Sequence, residues 1–183
     1  MGCSGLADEL LMPALQQALP VGCNTKKTLM FKKLFGNSSS PSEPIVPKEN
    51  FTIFKLTIAD GLALATINTG YNNYPNKKFY PWYATILMEI GDKNENGHPT
   101  NEEAELLNSL EDRITEFLGQ TQIVHRIGRV TRNGERDIIY YIDKPAFHQD
   151  KTKEFFDSIN SVRAVNLTIE KDKRWDNVAA FIK

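Results

Sequence analysis

From residue 24 onward the chain contains no cysteine; its only two, Cys3 and Cys23, lie near the start. A disulfide scaffold is thereby excluded for most of the sequence, and a reducing cytoplasm is the expected location. Zinc lacks ligands too. There is no Cys-x-x-Cys pair, and the histidines, His98, His125 and His148, are spread over different elements. No metal and no other cofactor is expected. No apolar run approaches the roughly 18 residues a membrane-spanning helix needs. Charge of one sign is not in surplus either: 22 basic and 23 acidic side chains leave a formal net charge of -1. A protein that holds nucleic acid by its phosphates carries a basic excess, so nucleic acid is not the expected partner. No Ser or Cys stands in a nucleophile elbow, and no glycine-rich phosphate loop opens a helix. No catalytic residue is assigned, and the chain reads as a binder more than an enzyme.

What is present fits one domain with a leading tail. Of the 183 residues, 40% are hydrophobic and 25% charged, enough for a core. Residues 36–50, GNSSSPSEPIVPKEN, are polar, Pro-rich and without periodicity. MFKKLFG at 30–36 resembles the natural start of a cytoplasmic protein. The expected division is therefore an upstream extension of doubtful nativeness at 1–29, a flexible linker at 30–50, and a single α+β domain at 51–183.

Within the domain, FTIFKLTIADGLALATI reads as a hairpin turning at Asp60-Gly61, which pairs Phe54 with Ile67, Leu56 with Ala65 and Ile58 with Ala63. WYATILMEI places Trp82, Ala84, Ile86, Met88 and Ile90 on one face of a strand. TNEEAELLNSLEDRITEFLG predicts a helix capped by Thr100, with Glu103 completing a capping box and Gly119 ending it. Its stripe is Leu107, Leu110, Ile114 and Phe117. A second hairpin turns at Asn133-Gly134, and a second helix over about 151–160 is capped by Asp150. A last strand carries Val165, Leu167 and Ile169, and the tail with Trp175 and Phe181 folds back as a short helix. From Trp82 on, the order strand, helix, strand, strand, helix, strand is that of the split βαβ, or ferredoxin-like, plan (βαββαβ). The first hairpin is an extra N-terminal one, extending the sheet or covering its other face.

The most legible stretch is IGRVTRNGERDIIYY, residues 127–141. Regular pairing sets Arg129 opposite Ile138 and Arg126 opposite Tyr141, as a cation–π pair. Gly128 in mid-strand signals a bulge or a close backbone contact, which would change the facing from there on. The arginines then divide between the two sides of the ribbon. Arg132 and Arg136 flank a turn in solvent, the others pair with Glu111, Asp112 or Asp137, and Arg129 is the one expected to be buried. Glu111 and Asp112 are adjacent on a helix and do not face each other, which argues against joint acid–base work. YNNYPNKKFYPWY is rich in rings and lysines, the composition of a stacking platform. The candidate contact residues are Arg126, Arg129, Arg136, Tyr140, Trp175, Lys77, Lys78 and Tyr80, with a cleft lined by Arg129, Tyr140 and Trp175 as the sharpest form of the idea.

Three pieces carry a resemblance: HPTNEEAELLNSLEDRITEFL at 98–118, IGRVTRNGERDIIYY, and DKRWDNVAAFI at 172–182. Together, in order and spacing, they resemble a bacterial family catalogued as domain of unknown function 695, over about residues 48–183. The resemblance implies an α+β domain and no established activity. The expected function is a non-enzymatic binding or regulatory module. It acts through contact with a protein partner, and a homodimer through a sheet edge is one form of that contact. One alternative is an RNA-associated regulator using Arg126, Arg129, Lys77 and Lys78, loosely analogous in element order to inhibitors of ribonuclease E. Another is a hydrolase or nuclease with a pocket beside the arginine hairpin.

Overall fold

The computed structural model describes residues 44–58 and 61–183. The expectations for 1–29, for the linker up to residue 43, and for the Asp60 turn position lie outside the described residues. Six apolar–polar alternations become strands: β1 (Phe51–Ile58), β2 (Gly61–Asn68), β3 (Trp82–Glu89), β4 (Val124–Arg132), β5 (Glu135–Ile142) and β6 (Val165–Lys171). Two amphipathic stretches become helices, α1 (Asn101–Gly119) and α2 (Gln149–Asn160). The strands form one antiparallel sheet in the order β1-β2-β4-β5-β3-β6. The protein is thus a mixed α+β structure, and the N-terminal hairpin extends the sheet. None of the described helices is long and apolar enough to cross a membrane.

The sheet has two differently covered faces. On one, α1 and α2 bury Ala84, Ile86 and Met88 of β3 and Ile138, Tyr140 and Ile142 of β5 against Leu107, Leu110, Ile114, Phe156 and Ile159. On the other, the 69–81 segment and the C-terminal tail cover Ala65, Ile67, Ile127, Ile139 and Tyr141 with Tyr71, Tyr74, Tyr80, Trp175 and Val178. The rings after the first hairpin therefore do cover something, the face away from the helices.

One row of paired residues shows how far the helices reach. Ile53, Thr66, Arg129, Ile138, Ile86 and Leu167 stand side by side across all six strands. Paired residues share a face, so all six point to the helix side. Ile138 and Ile86 are wholly buried there, whereas Ile53 is 64% exposed. The helices cover β6, β3 and β5; β1 and β2 carry no residue of the helix-side core. The β1–β2 side of that face is left open by the helices.

Several local details differ from the sequence reading. The first hairpin pairs Phe54 with Ala65, Leu56 with Ala63 and Ile58 with Gly61. The register is displaced by two residues, which preserves every facing. Gly61 has joined the strand with a φ of +118°. Thr100 does cap α1, accepting from the Glu103 N–H. The Glu103 carboxylate does not close the box, because it accepts from the Gly91 N–H and from Arg163. A partner with full charge outcompetes one more backbone N–H. Helix α1 runs through Gly119 and ends at Gln120 in right-handed geometry, so the glycine is no left-handed cap. The N-cap of α2 is His148, not Asp150, which lies in its first turn. The tail forms only a short 3-10 turn, Asp176–Val178.

Candidate functional site

The site begins with one extra residue. Along β4, Val124, His125 and Arg126 pair with Ile142, Tyr141 and Tyr140, while Gly128, Arg129 and Val130 pair with Ile139, Ile138 and Asp137. Ile127 is left over, a β-bulge. Residues three apart on a regular strand point to opposite faces. The bulge restores the parity, so Arg126 and Arg129 both face the helices. Gly128 makes this possible. Its φ is +156°, and a Cβ there would stand 2.2 Å from the Thr66 carbonyl oxygen. The bulge and the close contact that its sequence position suggested are both present.

Arg126 therefore lies opposite Tyr140, not Tyr141, and its guanidinium sits over the Phe51 ring at 5.6 Å. Arg136, opposite Thr131, faces the same way. Only Arg132 points elsewhere, pairing with Glu135 and Asp137. The expected division between Arg126 and Arg129 is not found, because the bulge brings both to one face; only Arg132 stands apart from the other three. Those three converge on α1. Arg126 Nη2 lies 2.9 Å from Glu111 Oε1, and Arg129 Nη1 lies 3.2 Å from Glu111 Oε2. Asn108 Oδ1, one turn earlier on the same helix side, accepts from Arg129 Nη1 at 2.7 Å and Arg136 Nη1 at 3.0 Å. The carboxylate of Glu111 is buried, while Asp112 is exposed, so the two adjacent acids serve different surroundings as their spacing requires.

The buried member is Arg136, 3% exposed, rather than Arg129, and it does not flank the turn in solvent. Burial, and then the charge of Arg129, bring its pKa down to about 10. Among the described residues no carboxylate lies within 4.0 Å of its guanidinium. The Nε atoms of Arg126 and Arg136 are buried without a hydrogen-bond partner. Glu111 Oε1 is likewise unbonded, because Arg126 approaches it as a charge whose N–H direction misses the oxygen. Tyr140 is wholly buried beside Arg126, its hydroxyl 2.8 Å from Thr115 Oγ1. The set holds three positive charges against one negative, and hydrogen-bond capacity is left over.

The remaining candidates lie on the opposite face. Trp175 is buried, stacked on Tyr141 at 4.0 Å, and its Nε1 donates to the Tyr80 carbonyl oxygen at 2.9 Å. Lys77 reaches the edge of this layer, 5.9 Å from the Trp175 ring, and Lys78 lies 4.9 Å from the Phe79 ring. The sheet separates these residues from Arg129 and Tyr140, so the cleft joining Arg129, Tyr140 and Trp175 does not exist. The same barrier dissolves the composite basic surface of Arg126, Arg129, Lys77 and Lys78. Two shallow depressions, of about 200 and 230 Å³, lie along α1 and α2 around Phe117 and Gln120, and none of the hairpin arginines lines them.

This far face also holds His125, overlooked in the sequence beyond its place on a strand. It is wholly buried among Tyr71, Tyr74, Tyr80 and Trp175, with Nδ1 3.1 Å from the Tyr71 hydroxyl and Nε2 unpartnered. Desolvation lowers its pKa to about 4, against the pull of Asp143. Tyr141 donates to Asp172 Oδ2 at 2.6 Å, and Asp172 also caps the N–H groups of Asp176 and Asn177. Burial raises Asp172, but these hydrogen bonds prevail and hold it below the usual carboxylate range. These groups are neutral or mutually satisfied, which marks them as architecture. Asn108 was also missed; its signal was its place three residues before Glu111.

The model of a family described as a family of unknown function (DUF695) matches residues 49–182. No curated protein and no solved structure matches the chain.

Proposed function

We propose, for a chain that belongs to the DUF695 family of unknown function, a non-enzymatic binding and regulatory module that acts by protein–protein contact on the open helix-side surface of β1 and β2. One observation carries the reading: helix-side residues of β1 and β2 are left open, with Ile53 64%, Leu62 44% and Phe51 39% exposed. Burying exposed apolar side chains of this kind drives association. Strand β1 is also an edge strand with a single positive charge, Lys55, along its eight residues. Its unpaired backbone groups fit an added strand from a partner, or from a second copy of the chain.

The architecture we assign is the ferredoxin-like plan with an added hairpin. It is supported by the order β6-β3-β5-β4 within the sheet, in which the strands of the β3–β6 segment run fourth, first, third, second. The lack of cysteine after Cys23 supports a cytoplasmic setting for this reading. An RNA-associated regulator would have to work with the arginine cluster alone, since the two lysines lie across the sheet.

The test uses the full chain with a photo-crosslinking side chain placed at Ile53 or, as controls, at Ile123 or Val162. The controls are equally apolar and partly exposed, at 37% each, but lie elsewhere. The expected outcome is a discrete adduct, with a partner or a second copy, from position 53 alone, abolished by Phe51→Lys. Equal adducts from all three positions, or none from position 53, would remove the reading.

A further inference from the structure

We propose that Arg126, Arg129 and Arg136 form a receptor for an oxyanion, a carboxylate or phosphate group, at the rim of α1 beside Asn108 and Glu111. The proposal stands apart from the docking reading, because it concerns a chemical group and not the surface that carries it.

Charge is the first reason. Three guanidinium groups gather around one carboxylate, and the most buried of them, Arg136, has no carboxylate within 4.0 Å among the described residues, only the longer-range charges of Glu111 and Glu103. A buried cation without a paired carboxylate is costly to a fold. The second reason is the oxygen that holds Arg129 and Arg136 together. It is the uncharged Asn108 Oδ1, accepting from both at 2.7 and 3.0 Å. A neutral acceptor stands where a carboxylate would balance the pair. The third is that the fold does not saturate these groups: the Nε atoms of Arg126 and Arg136 are buried without a hydrogen-bond partner. Guanidinium forks match planar oxyanions in shape and number of donors.

Access comes from the bare side of the sheet. The side chains of Arg126 and Arg129 keep 31% and 27% of their exposure, and Asn108 is exposed. An incoming anion meets these two arginines, with Arg136 supplying charge from behind. Glu111 occupies part of the cluster as an internal acceptor, which sets the affinity low and makes it responsive to the bound group. Helix α1 also carries the exposed acids Glu102, Glu105, Asp112 and Glu116. A helix of that charge disfavours a polyanion over a single charged group.

The full chain is titrated with inorganic phosphate and, separately, with acetate at constant ionic strength, following the arginine Nε–H signals by NMR. The expected result is a saturable one-site shift at Arg126, Arg129 and Arg136 with at least one anion. Asn108→Asp supplies the missing negative charge at nearly unchanged volume and should weaken binding by about tenfold or more, the worth of one charge-assisted contact. Arg129→Gln should do the same; Asn108→Asp keeps the test valid should Arg129→Gln fold poorly. A response to phosphate alone assigns a phosphoryl ligand, to acetate alone a carboxylate, and to both a general oxyanion. No saturable shift with either anion, or equal affinity in wild type and Asn108→Asp, overturns the proposal. None of these results depends on a crosslink at Ile53.

Discussion

Arg126 stands opposite Tyr140 and Arg129 opposite Ile138, so two residues three apart on one strand share a face of the sheet. The extra residue Ile127 turns its side chain into the opposite core, and the backbone turns with it. A regular β4 would place one arginine among the tyrosines of the far face. The cluster around Glu111 and Asn108 is thus a consequence of backbone geometry at a single glycine.

Gly128→Ala tests that dependence. The added methyl group would meet the Thr66 oxygen at 2.2 Å and the Ile67 Cα at 2.9 Å, at a φ that side chains disfavour. Both neighbours are backbone and cannot swing aside. The expected loss is roughly 2–4 kcal/mol, read as a lower urea midpoint. Where the variant still folds, the signals of Arg126 and Arg129 should move together, since their common facing depends on this residue.

Glu111→Gln addresses the charge balance. Glu111 is about 1% exposed and holds two guanidinium groups at once. Its neutral isostere leaves both cations with a weaker acceptor in a partly desolvated place. Breaking a buried pair from one side costs about 3 kcal/mol. Removing Arg126 as well, as Arg126→Met, should return part of that loss in a double-mutant cycle. Strictly additive losses would mean that Glu111 does not hold Arg126.

Some of this was readable in advance, for identifiable reasons. Alternation along Trp82–Ile90 and the stripe of Leu107, Leu110 and Ile114 placed one core correctly, because burial follows periodicity. Gly128 announced its bulge because a mid-strand glycine has few other uses. The burial of Arg136 was not readable. It depends on α1 lying over β5, a long-range packing fact. Nor was the face of Trp175 readable, since the residue sits at a left-handed φ of +63° in a tail without periodicity. Grouping Trp175 with Arg129 followed from shared chemistry, and only the sheet between them shows the grouping to be wrong.

His125 predicts a pH dependence. Its ring stays neutral in the fold down to about 4, against the ordinary 6.5, because burial among Tyr71, Tyr74, Tyr80 and Trp175 disfavours the charged form. Above about pH 6.5 it is neutral in both folded and unfolded chains and costs nothing. Between pH 6.5 and 4 the unfolded ring binds a proton that the folded ring refuses, so stability falls with pH, by about 3 kcal/mol in all. Below pH 4 this slope ends. Urea midpoints measured across the window should fall steeply in wild type. His125→Gln, whose amide can pair with the Tyr71 hydroxyl in either direction, should show a flatter profile.

Arg136→Met separates architecture from binding. A structural arginine that is 3% exposed should be needed for stability, and its removal should be costly. The geometry argues the reverse. Arg136 pays desolvation without a carboxylate, its Nε is unbonded, and Arg129 pushes against it. Methionine fills much the same length with apolar atoms, and exchanging a buried charge for such a side chain is often neutral or stabilising, here by about 1 kcal/mol. The expected result is a higher urea midpoint together with a loss of phosphate or acetate binding. A protein that keeps a destabilising cation keeps it for something outside the fold. A variant that unfolds more readily, with oxyanion binding intact, would return Arg136 to the architecture.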